Sequence, residues 1–142
     1  NCRTSDPNIF AAGDCVSFPF NKDFIRLENV GNAIEQAETA SENVLGNEIK
    51  YQPVPWFWSD QFDVKLQIAG LNKGFTKVFH RQSDNKNSFW YYKGDQLISV
   101  DAINDPQSYM VGKKLLEMKK TPSSKDIVSN KINLKDILRE IK

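Results

Sequence analysis

The feature that most constrains this chain is a change of hydrophobic period past residue 55. Residues 62–69 alternate, with Val64, Leu66 and Ile68 on one face, and residues 75–79 alternate as Phe75, Lys77 and Phe79 against Thr76 and Val78. A period of two marks a half-buried strand. Residues 88–92 are aromatic-rich, and Lys93-Gly94-Asp95-Gln96 turns them into residues 97–102. Gly-Asp between two β-prone runs signals a hairpin, and successive hairpins build an antiparallel sheet. His80 is expected to end one of these strands in a structural role. Asn104 or Asp105 then caps a helix with Pro106 near its first position and Met110, Val111, Leu115 and Met118 as its apolar side. Thr121-Pro122 breaks it, a helical turn follows over residues 125–129, and Asn133-Leu134 opens a last helix through Ile137, Leu138 and Ile141. A sheet with helices segregated after it is an α+β domain.

The first third reads differently. Asp6-Pro7 is a turn signal, and Ile9 to Ala12 is apolar without alternation, which suits a strand of a parallel sheet buried on both faces. The run stops at Gly13-Asp14, where a glycine lets a ligand approach the backbone and a carboxylate accepts hydrogen bonds from hydroxyls. An ordinary strand that turns at Gly-Asp has the same pattern. Residues 16–23 read as a loop. From the N-cap Asn29, the residues Val30, Ala33, Ile34, Ala37, Ala40, Val44 and Leu45 form one helical stripe, closed by Gly46. Its small side chains suit close packing on a sheet. The polar connector over 48–54, with Pro53 and Pro55 near its end, places a boundary between domains 1–50 and 51–142. The aromatics Trp56, Phe57 and Trp58 cannot all face one core, so at least one meets something flat or another domain.

Composition excludes several classes. A formal charge of +1 over 142 residues argues against a nucleic-acid surface, which needs clustered excess Lys and Arg. No apolar run approaches the ~20 residues that span a bilayer, and no secretory segment is present, so a cytoplasmic location is expected. Cys2 and Cys15 are not spaced as Cys-x-x-Cys, and the single His80 cannot complete a metal site with them. The chain opens at Asn1 in the approach to a buried strand, which is expected of a piece of something longer.

Taken together, Ile9 to Asp14, Arg26-Leu27-Glu28-Asn29-Val30-Gly31-Asn32-Ala33, Pro55 to Gln61 and Lys65-Leu66-Gln67-Ile68-Ala69-Gly70 closely resemble the C-terminal third of FAD-dependent, NAD(P)H-using ferredoxin reductases of the putidaredoxin and rubredoxin reductase group. The resemblance implies a small α+β domain preceded by a strand and helix left from a Rossmann-like FAD-binding domain. It implies that Gly13 and Asp14 meet the ribityl chain of FAD, that Glu28, Asn29 and Val30 at the helix N-terminus face the flavin ring, and that Trp58 lies beside the isoalloxazine. It also implies electron transfer from NAD(P)H through FAD to a [2Fe–2S] ferredoxin or a rubredoxin. The sequence holds no Gly-x-Gly-x-x-Gly loop for either dinucleotide, so the chain alone is expected to be inactive and to hold no FAD tightly. A homodimer that covers the orphan helix stripe fits the same reading. The other classes weighed are a non-catalytic α+β interaction module and a redox protein of the apoptosis-inducing-factor type.

Overall fold

Two units make up the chain in the computed structural model, Asn1–Pro55 and Trp56–Lys142, with residues 1–129 and 132–140 described. In the first unit, β1 (Ser17–Phe20) and β2 (Asp23–Arg26) form an antiparallel hairpin where a loop is expected over 16–23. Phe18 pairs with Ile25 across it and is buried edge-on against Tyr51, at 5.2 Å between ring centroids. Asn21 takes the turn at φ 57, a left-handed conformation that asparagine tolerates.

Residues 9–12 are not a strand. Phe10 makes one isolated antiparallel bridge with Arg3, while Thr4 N–H donates to the Ile9 carbonyl and Ala11 N–H to the Cys2 carbonyl, both at 2.9 Å. The apolar run has no parallel neighbour among the described residues, so its backbone groups pair locally with residues 2–4 instead. The turn at Asp6-Pro7 does form, with Asn8 N–H donating to Asp6 Oδ1 at 2.9 Å.

Helix α1 (Val30–Val44) starts at Asn29 and ends in a glycine stop as expected. Gly46, at φ 95, donates to the Asn43 carbonyl and Asn47 N–H reaches back to the Glu42 carbonyl, the paired bonds of a Schellman end. The expected stripe is buried only in part, at Ala40 and, against Gly13, at the half-buried Ala33. Val30, Ile34, Val44 and Leu45 are exposed, Ile34 by 53%, whereas Asn32, Gln36, Ala40 and Asn43 are buried. The reason lies in the partners: this face meets irregular main chain, whose polar groups amides can satisfy and alkyl groups cannot. Asn32 Nδ2 donates to the Leu27 carbonyl and its Oδ1 accepts from the Tyr51 hydroxyl. Burial, followed by the nearby Glu35, pushes Tyr51 above the usual phenol range, so it stays a donor at neutral pH. Asn43 holds both backbone groups of Ile49, accepting from its N–H at 2.7 Å and donating to its carbonyl at 2.9 Å. Residues 49–51 are thereby tied to α1, within a compact unit that runs to Pro55.

The second unit is a five-stranded antiparallel sheet with helices on one face, the α+β domain that the alternation predicts. Its strands are β3 (Trp56–Gln61), β4 (Val64–Gly70), β5 (Lys77–Ser83), β6 (Lys86–Lys93) and β7 (Gln96–Ile103), in the order β3-β4-β7-β6-β5. Phe62, expected in a strand, sits exposed in the β3–β4 turn at φ 56. Phe75 likewise lies before β5. His80 lies within β5 rather than at its end, because pairing continues through Arg81↔Ser88 to Ser83↔Lys86. It does have structural partners: its ring stacks on Phe89 at 4.6 Å and its Nε2 lies 2.9 Å from Asn87 Oδ1.

Helix α2 (Pro106–Glu117) is capped by Asp105, followed by α3 (Ser124–Val128) and α4 (Leu134–Glu140). Ile141, expected to close the last helix, lies outside the described residues. Trp90, Tyr92, Leu97, Val100, Val111, Leu115, Ile127, Leu134 and Ile137 form the core between sheet and helices. Gly112 sets the spacing, since a Cβ there would come within 2.6 Å of Val100 Cγ2. A buried polar chain runs through the same layer: Trp90 Nε1 donates to Ser88 Oγ, which donates to Ser108 Oγ, which donates to the capping Asp105. Arg81 reaches from β5 to the α3–α4 connection and donates to the carbonyls of Ile127, Ser129 and Ile132 at 3.0, 2.7 and 2.9 Å.

Candidate functional site

In the first unit the residues singled out by sequence gather around α1. Gly13 is buried at φ +87 and packs against the helix, where a Cβ would lie 3.7 Å from Ala33 Cβ. Both its backbone groups are held: its N–H donates to Gln36 Oε1 at 2.8 Å, and its carbonyl accepts from Val16 N–H at 3.0 Å. This turn presents Asp14 as an exposed carboxylate on a fixed backbone. Cys15, next in sequence, is an exposed free thiol, and Cys2 is also free.

Asn29 caps α1 from an extended conformation at φ −155 and ψ 156, with its Oδ1 accepting from Asn32 N–H at 2.8 Å. Glu28 points to solvent in an ion pair with Arg26 at 2.7 Å, both side chains 58% exposed, so the pair contributes about 0–1 kcal/mol. Val30 is exposed beside it. The side-chain oxygens of Asn29 and Gln36 are each committed to an N–H donor, which fixes the orientation of both amides. That leaves Asn29 Nδ2 and Gln36 Nε2 as buried donors without a partner among the described residues. An unmet buried donor costs about 1–3 kcal/mol, so both call for an acceptor.

Trp58 belongs to the second unit and is described there by itself. It and Trp56 share one face of β3, an edge strand, paired with Gln67 and Ala69 of β4. Their indoles stack at 5.3 Å and 23°, and Lys113 Nζ of α2 sits 4.8 Å above the Trp56 ring. Trp56 is thus a supported platform, and Trp58 lies over it with 48% of its surface open. Phe57 faces the other side of the sheet, so the three aromatics divide between two faces as strand geometry requires.

Sequence reasoning named Asn29 as the cap but missed the buried amides of Asn32, Gln36 and Asn43. Asn29, Asn32, Gln36 and Asn43 recur at steps of three, four and seven, which sets them on one side of a helix. That spacing is legible, but a search restricted to apolar residues passes over it. Among the described residues no group of His, Cys, Asp and Glu could hold a metal, and no helix is long and apolar enough to cross a membrane.

Residues 56–138 match the Reductase C-terminal family model, and the chain belongs to that family. Over 82% of this chain it is 40% identical to a ferredoxin–NAD(P)(+) reductase of Sphingomonas sp., of which it covers 30%. It superposes with a TM-score of 0.90 on the ferredoxin reductase of a Rhodopseudomonas palustris system, at 36% identity over 95% of this chain and 34% of that one. The score is also 0.90 against the covalent putidaredoxin reductase–putidaredoxin complex, at 30% identity over 99% of this chain and 34% of that one. The chain therefore spans about a third of the length of these relatives.

Proposed function

We propose that this chain is the C-terminal portion of a flavoprotein that carries electrons from NAD(P)H through FAD to a [2Fe–2S] ferredoxin or a rubredoxin in the cytoplasm. In this reading the first unit is the end of the FAD-binding domain and the second is the reductase C-terminal domain. The observation that carries the reading is the turn that holds Gly13 by both backbone groups and leaves the Asp14 carboxylate free.

FAD, when bound, supplies the chemistry: it takes two electrons as hydride from NAD(P)H and releases them singly to an iron–sulfur protein. The residues here bind and orient. Asp14 would accept hydrogen bonds from ribityl hydroxyls, with Gly13, at its positive φ, forming the turn that presents it. Glu28, Asn29 and Val30 set the α1 N-terminus, whose partial positive charge favours an anionic ring. Trp58 offers a flat, pre-positioned indole to the isoalloxazine side. The exposed α1 stripe is the surface that the remainder of that domain, or a second copy, covers.

The test is flavin occupancy of the full-length protein. Asp14→Ala is expected to lower it by removing charge-assisted hydrogen bonds, each contributing about 1.5–3 kcal/mol. A fully flavinated Asp14→Ala protein contradicts the assignment of Asp14.

A further inference from the structure

We infer that Gln36 is a positioning residue for flavin binding: its buried amide fixes the Gly13 peptide and through it the direction of the Asp14 carboxylate. The inference rests on the flavin reading given above. Gln36 is 0% exposed and is among the largest fully buried side chains of the chain. An amide in such a place is costly unless it is hydrogen-bonded, and a leucine would fill the same volume without that cost. What the amide adds is the acceptor, Oε1, at 2.8 Å from Gly13 N–H.

The need for that acceptor follows from glycine itself. Gly13 sits at φ +87, and with no side chain it moves between positive and negative φ at little expense. A peptide free to rotate there would swing Asp14, the next residue, through a wide arc. Gln36 removes this freedom by tying the peptide to α1, two turns in from the cap, where the backbone is rigid. The helix that presents its N-terminus at Asn29 thus also sets the turn that presents Asp14, and one rigid element holds both groups in register.

Three variants of the full-length protein separate this role from a merely structural one. Gln36→Met keeps the length and loses the acceptor, Gln36→Glu keeps an oxygen at the same reach, and Asn43→Met removes an equally buried amide that touches Ile49 and not the turn. FAD is titrated into each apoprotein, and the melting temperature is recorded alongside. Gln36→Met is expected to bind FAD about tenfold more weakly. Gln36→Glu is expected to restore affinity to within about threefold. Asn43→Met is expected to lower the melting temperature with flavin affinity unchanged. Equal losses of affinity in Gln36→Met and Asn43→Met, or unchanged affinity in Gln36→Met, overturn the inference. Should Gln36→Met fail to fold, amide exchange in the wild-type holoprotein decides: slow exchange at Gly13 beside fast exchange at Asp14 and Cys15 supports it, and equal exchange at all three overturns it. A wild-type protein with no affinity for FAD instead removes the flavin reading, and this inference with it.

Discussion

Among the described residues the deepest large side chains of the second unit are Trp90, Val100, Leu115 and Ile127, with the small Ser88, Ser99 and Ser108 buried beside them; in the first, the deepest is Gln36, with Asn32 and Asn43 close behind. The helices differ in the same way. Helix α2 turns Val111 and Leu115 onto the sheet, while α1 turns a seam of amides onto loops and leaves Ile34 and Val44 outside. A helix buried through its polar face, with its apolar face bare, is matched to its loops and unmatched on the side where most stabilisation arises. The second unit holds both layers of an α+β fold, whereas the first holds one helix, a two-stranded hairpin and the turn at Gly13. Stability is accordingly expected to reside in the second unit and ligand geometry in the first.

The largest expected effect breaks this contrast into two numbers. Trp90→Ala empties the centre of the core and is expected to cost about 3–5 kcal/mol. Ile34→Ala, in the exposed stripe, is expected to change stability by no more than about 0.5 kcal/mol in the isolated chain. Urea denaturation followed by circular dichroism and tryptophan fluorescence reads both. A comparable loss from Ile34→Ala means that its stripe is already covered.

Next in size is Arg81. Its guanidinium donates to the carbonyl of Ile127 in α3 and to those of Ser129 and Ile132 beyond the helix. Arg81→Met is expected to cost about 1.5–3 kcal/mol and to release Ile127 and Ile137 from the core. Backbone chemical shifts over residues 124–138 locate the change.

How much of this was legible in the sequence depends on whether a signal was local. The sheet was, because Val64, Leu66 and Ile68 alternate and Gly94-Asp95 turns; so were the caps at Asn29 and Asp105 and the stop at Gly46. The ends of β5 were not, since His80 to Ser83 are polar and owe their strand to pairing with β6. Ile9 to Ala12 has the composition of a parallel strand, but a strand is a relation to a neighbour, and among the described residues only the short antiparallel contact with residues 2–4 lies beside it. The α1 stripe misled for a related reason, as hydrophobic period predicts which face would be buried in a full layer. Of the candidate site, Gly13, Asp14 and Asn29 were readable as types at fixed spacing. Gln36 was not, because its role depends on a bond across 23 positions of sequence.

The smallest effect concerns Asp101, on the sheet face away from the helices, in a row with Phe57, Ile68, Phe89 and His80. Burial raises its carboxyl above the usual range, partly offset by the Tyr91 hydroxyl. A raised folded-state value means that its favourable contribution is full below the unfolded value and is lost as pH rises through the folded one. Asp101→Asn is therefore expected to melt slightly higher than wild type at pH 7, with the gap closing as pH falls below about 4. Melting curves across that range check the sign.

Hydrogen exchange on the isolated chain, with its monomeric state established by ultracentrifugation, compares the two units most directly. Amides of residues 66–69 and of Val100 are expected to exchange only through global unfolding of the second unit, and those of residues 33–44 in α1 to exchange much faster by local opening. Equal protection of α1 and the central strands in a monomer would contradict the claim that the first unit is part of a larger layer.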